Sequence, residues 1–139
     1  MAGAVLMSAI GLKSGVTQYQ FTWISDAAGN VSGTSHSVKM GTIIAVEFIP
    51  DSGITQPDNL YDVDCLDAGG VSVFDNGAGA TIGANLSNAV GSHAVPLVGL
   101  TGVTIYRRWI QGDPLQLLVS GAGDTNSGVV NIFVANGVL

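Results

Sequence analysis

A chain of 139 residues and 14.1 kDa makes one domain and leaves little room for a second. Four basic against ten acidic side chains give a net charge of −6 and a pI near 4.3, which speaks against a nucleic-acid partner, since a phosphate-binding surface needs Lys and Arg to displace counterions. One cysteine, Cys65, and two histidines, His36 and His93, exclude an intrachain disulfide framework and a multi-cysteine zinc site.

The first twelve residues, MAGAVLMSAIGL, are apolar, but Lys13 follows the run instead of preceding it, and a secretory signal needs its positive charge first. Twelve residues also fall short of the roughly 20 that span a bilayer. No membrane partner is expected. Residues 1–15 read as an N-terminal apolar arm, with Val5, Leu6, Ile10 and Leu12 as its assembly contacts. Burying such side chains contributes about 1.5–3 kcal/mol each, against about 1–2 kcal/mol per residue to order the backbone. That balance closes near zero alone and improves on a partner's groove or sheet edge. The other reading of the segment is a first core strand of the same domain.

Residues 16–139 read as a single β-sandwich domain. TQYQFTWI over 17–24 alternates, placing Tyr19, Phe21 and Trp23 on one buried face, with Phe48 and Phe133 expected to oppose them across the sandwich. Asp26–Asn30 has turn chemistry. The small, polar Val31–Met40 run suits an edge strand or flap. TIIAVEFI over 42–49 is a near-continuous apolar run and reads as a central strand. Leu60–Leu66 directs Tyr61, Val63 and Cys65 one way and Asp62 and Asp64 the other, and Asp67–Gly70 turns the chain into Val71–Phe74. A long Gly- and Ala-rich stretch covers 75–95, with a short helical turn expected near Ala84–Ala89. Val103–Ile110 is a further strand, and Leu115–Ser120 with Val129–Ala135 reads as a C-terminal hairpin. Seven or eight short strands without helical spacers predict an all-β fold, an antiparallel two-sheet, jelly-roll-like sandwich.

Few residues suggest chemistry. Asp58, Asp62, Asp64 and Asp67 are the best calcium candidates, yet their spacing is not that of an EF-hand loop, and a solvated strand face with turn caps has the same pattern. Glu47 is the only glutamate, so no acid–base pair stands out. There is no G-x-S-x-G elbow to activate a serine. Gly77, Gly79 and Gly83 miss the dinucleotide fingerprint by one residue and open no helix. Arg107 and Arg108 alternate faces beside Tyr106 and Trp109, as an arginine paired with an acid across the sheet would. Cys65 reads as a small core hydrophobe. No cofactor, metal or catalytic residue is expected. Charged residues are 10% of the chain, where about a quarter to a third of an ordinary surface is charged. Much of this surface is therefore expected to face protein.

Four stretches carry a resemblance: Gly41–Pro50 (GTIIAVEFIP), Gln56–Val63 (QPDNLYDV), Leu66-Asp67 with Gly70, and Pro114–Gly123 (PLQLLVSGAG). Together, across residues 41–135, they resemble small β-sandwich virion structural proteins of tailed bacteriophages. The resemblance implies a non-enzymatic capsid decoration (cement) protein, made in the host cytoplasm and carried on the capsid surface of the virion. Its implied partners are the major capsid protein and further copies of itself, as a homotrimer. A carbohydrate-binding or adhesion module is the rival reading, with Trp23, Tyr61, Tyr106 or Trp109 as sugar-stacking platforms.

Overall fold

The computed structural model describes residues 3–33, 35–74, 83–89, 93–96, 98–101, 104–110 and 114–136. Ten strands follow one another: β1 (Ala4–Gly11), β2 (Val16–Ile24), β3 (Val31–Ser32), β4 (Gly41–Pro50), β5 (Asp62–Leu66), β6 (His93–Pro96), β7 (Val98–Thr101), β8 (Thr104–Ile110), β9 (Gln116–Ser120) and β10 (Ser127–Ala135). The fold is all-β, as the strand pattern predicts, with two strands or more beyond the seven or eight expected. The pairings between these strands are antiparallel.

The larger sheet runs β1-β2-β10-β4-β8-β7, and the smaller runs β3-β9-β5. β4 divides its second edge, Gly41–Ile43 pairing with β8 and Ala45–Phe48 with β6. From β2 to β3, β4 and β5, and again from β8 to β9 and β10, each step carries the chain to the other sheet. With β2-β10-β4-β8 lying over β3-β9-β5, this is the double Greek-key winding of a jelly roll.

The period of two along each strand builds the core. Tyr19, Phe21 and Trp23 are all buried, and β10 sets Val130 and Ile132 beside Phe21 and Tyr19 in register. Opposite Trp23 the same strand has Gly128, where a Cβ would come within 2.8 Å of the indole; the missing side chain is what lets the ring lie over β10. The layers meet through aromatic pairs: Trp23 on Tyr61 at 5.9 Å between ring centres, and Phe48 edge-on to Phe74 at 5.6 Å. Such contacts add about 0.5–1.5 kcal/mol each beyond the area they bury.

Phe48 belongs to the same sheet as Trp23, so it faces Phe74 and not the β2 aromatics. Phe133 lies between Gln18 and Ala45 on the half-exposed outer face, because β10 alternates without a break and Val130, Ile132 and Val134 take the core side; the irregularity beside it belongs to β4. Val134 pairs with Ile43 while Phe133 pairs with Ala45, leaving Ile44 as the extra residue of a bulge. The expected C-terminal hairpin is absent. β9 pairs with β3 and β5, β10 with β2 and β4, and the loop between them crosses layers through Gly121 and Gly123 at φ 68° and 83°. Residues 84–89 are not helical; Leu86 bridges Tyr61 beside β5.

Candidate assembly surface

The N-terminal apolar run is a strand of the larger sheet. β1 pairs with β2 over eight residues, from Ala4 opposite Ile24 to Gly11 opposite Thr17. The turn between them carries Ser14 and Gly15 in the left-handed region, and the Leu12 N–H closes it by donating to the Val16 carbonyl at 2.7 Å. Antiparallel ladders alternate, so the even residues of β1 spend their N–H and C=O groups on β2. The odd residues Val5, Met7, Ala9 and Gly11 point theirs at the open side of the strand. Among the described residues, no strand pairs on that side.

Side chains divide by the same parity. Val5 and Met7 turn inward, Val5 buried and Met7 packed against the core. Val5, expected among the assembly contacts, is thus a core residue. Leu6, Ile10 and Leu12 are exposed at 74%, 44% and 42%, and Ile24 joins them from the neighbouring strand. Gln18, Gln20 and Thr22 fill the outer face of β2. From Ala4 to Ser25 the only charge is Lys13, in the turn. The face is uncharged, its apolar part on β1 is bordered by open backbone groups, and these are features of a strand-addition site. Beside it, a cleft of about 430 Å³ is lined by Ala9, Gly11, Thr17, Tyr19, Val38 and Lys39, among others. The Tyr19 hydroxyl there accepts from the Lys39 N–H at 2.8 Å.

Sequence parity marks Leu6 and Ile10 as one face. What it could not show is which backbone groups stay open, because that depends on pairing with β2. Asn131 was also invisible. Within the apolar run VVNIFV it is buried, donates to Glu47 Oε1 at 2.9 Å, and leaves its Oδ1 without a partner.

The other candidate groups are placed as follows. Asp62 accepts from the Asn85 N–H at 2.7 Å; Asp64 accepts from the Cys65 N–H and the Ser72 hydroxyl; Asp67 accepts from the Gly69 and Val71 N–H groups and so caps its turn. Asp58 sits on an exposed turn, its own N–H donating to Ala122. Among the described residues no three His, Cys, Asp or Glu groups gather as a metal cluster. Cys65 is buried, and burial, then Asp64 and Asp67, push its thiol pKa well up, so it is inert as a nucleophile. His36 lies edge-on to Phe21 at 5.9 Å, its Nδ1 without a partner.

Trp23 and Tyr61 are core residues in mutual contact, which removes two of the four sugar platforms. The side chains of Tyr106, Arg107, Arg108, Trp109 and His93 lie outside the described residues, as do Gly77 and Gly79. No described helix is long and apolar enough to cross a membrane. No family model matches the chain, and neither does any curated protein or solved structure; the likeness to virion proteins rests on the motifs quoted from the sequence.

Proposed function

We propose that this chain is a non-enzymatic structural protein of a tailed-bacteriophage virion, a capsid decoration protein that binds the outside of the shell and self-associates there. The observation that carries the reading is the β1 surface: an open strand edge flanked by Leu6, Ile10 and Leu12, in a chain with too few charges to clothe a free surface. A jelly-roll sandwich supplies a rigid frame for such a contact. The mechanism is clamping. Each copy bridges neighbouring shell subunits, and because it binds only the assembled state, its binding free energy adds to shell stability by mass action.

The test uses purified shells of the phage that encodes the chain. The protein is expected to sediment with the shells and to raise their disruption temperature, saturating at a fixed copy number. Retention on a glycan array with no sedimentation on shells overturns the reading in favour of the sugar-binding module.

A further inference from the structure

We propose that two copies of the chain join through β1, strand against strand and antiparallel about a two-fold axis, to make one continuous sheet across both sandwiches. The proposal deepens the reading of β1 as an assembly surface by naming a second copy as its occupant.

The residues of β1 select both the partner and the register. An antiparallel neighbour must set its own open-edge groups against Val5, Met7, Ala9 and Gly11. A second β1 offers the same four residues. Placing Ser8 on the axis pairs Val5 with Gly11 and Met7 with Ala9 of the other copy, each pair exchanging two hydrogen bonds, and uses every open donor and acceptor of the strand. The intervening residues then meet in the closer, non-hydrogen-bonded positions, Leu6 against Ile10 and Ala4 against Leu12. A shift that puts Met7 on the axis instead sets Leu6 against Ser8 and leaves Gly11 unpaired. Apolar matching therefore favours Ser8.

Charge points the same way. β1 carries no charge and no proline, so two of the devices that keep strand edges apart are missing from it, and none of the acidic residues behind the net −6 lies on the contact strand. The pairing also brings Lys13 of each copy, which follows the end of β1, toward the turn of the other copy that begins beside Ala4 and Ile24. That turn holds Asp26, an opposite charge. The two-fold arrangement is isologous and closes after two copies, whereas a trimer would need β1 to find a different edge.

Sedimentation equilibrium of the full chain tests the idea over about 5–500 µM, because one strand pair is a contact at the small end of the roughly 1,200–2,000 Å² range of stable interfaces. A monomer–dimer equilibrium is expected. Ser8→Lys, which sets like charges opposite each other on the axis, and Ala9→Pro, which removes an outward N–H and leaves the β1–β2 ladder intact, are each expected to weaken it about tenfold or more. Ser8→Cys fixes the register. Directly opposed residues in such a pair lie about 4.5 Å apart, within the roughly 4.4–6.8 Å that a disulfide spans, so mild oxidation should give a covalent dimer. The wild type, whose Cys65 is buried, should give none.

A chain monomeric throughout, a trimer, or a dimer that Ser8→Cys fails to cross-link overturns the proposal. Circular dichroism of each variant separates loss of pairing from loss of fold. Shell binding by a strictly monomeric chain would remove the β1 pair and leave the decoration reading standing; a dimer that ignores shells would do the reverse.

Discussion

The two sheets end in opposite ways. Beyond β5 the smaller sheet is closed off: Val73 donates to the Cys65 carbonyl, the Val63 N–H donates to Gly83, and Leu86 bridges Tyr61. Asp62 and Asp64 reinforce that closure from the side, holding the Asn85 N–H and the Ser72 hydroxyl. β1, at the margin of the larger sheet, has no such cover among the described residues, and it has no carboxylate. The two margins belong to one molecule, so the difference is a matter of local sequence. Where the chain places aspartates and turns, it blunts an edge; where it places Ala, Val, Leu, Met and Ile, it leaves one ready to pair.

Both margins rest on one core, and the largest test strikes there. Trp23→Ala removes the β2 side of the Trp23–Tyr61 contact and should cost about 3–5 kcal/mol in urea unfolding; a cost below 1 kcal/mol would mean that the layers do not share a core. A smaller effect follows from pH. Burial pushes the Tyr61 phenol from 10.0 up to about 12, and burial also raises Cys65. The unfolded chain releases these protons first, so their contribution is intact below about pH 9 and is lost as pH rises through 10 to 12. The urea midpoint should fall over that window, and a flat midpoint would show that Tyr61 is not enclosed.

Asp64→Ala should loosen the closed margin. It strands the Cys65 N–H and the Ser72 hydroxyl, at about 1–2 kcal/mol, and should speed amide exchange at Cys65 and Val73 while leaving β1 alone. Faster exchange at Met7 and Ala9 instead would erase the distinction between the margins. The smallest effect is at the open one. Leu6→Ser removes a side chain that is 74% exposed and should change stability by no more than about 0.5 kcal/mol, yet weaken self-association; a large loss of stability would make Leu6 a core residue.

Much of this architecture can be read directly from residues. Alternation in TQYQFTWI and in YDVDC states which side chains enter the core, since the period of a strand is a local property. Asp67–Gly70 and Asp26–Asn30 are turns for equally local reasons. Long-range pairing is harder. PLQLLVS and VVNIFVA, joined by a glycine-rich loop, look like a hairpin, but the loop crosses between layers and each strand finds partners from the first half of the chain. Phe133 takes the outer face by the same local alternation, with Ile132 and Val134 inward; the bulge at Ile44, which turns both Ile43 and Val46 into the core, appears only in the pairing of β4 with β10. That the N-terminal run is apolar was legible; that it forms a strand with Val5 inward, Leu6 and Ile10 outward and an open, hydrogen-bonding edge was not, because nothing in MAGAVLMSAIGL says which of its amides β2 will take.

β10 has a consequence for how the molecule is made. It lies between β2 and β4, pairing Ser127 with Ile24 and Gly128 with Pro50, so the middle of the larger sheet is filled by the last of the described strands. During synthesis the β1–β2 hairpin can form early, but β2 and β4 have no shared neighbour until Ser127–Ala135 has left the ribosome. Closing contacts so distant in sequence is slow, in the range of milliseconds to seconds for sandwich folds. Throughout that wait, both faces of the gap expose strand edges. The nascent chain therefore passes through a sticky interval that ends only when β10 drops in like a keystone, and any truncation inside 127–135 should strand it there, as two half-sheets with no seam.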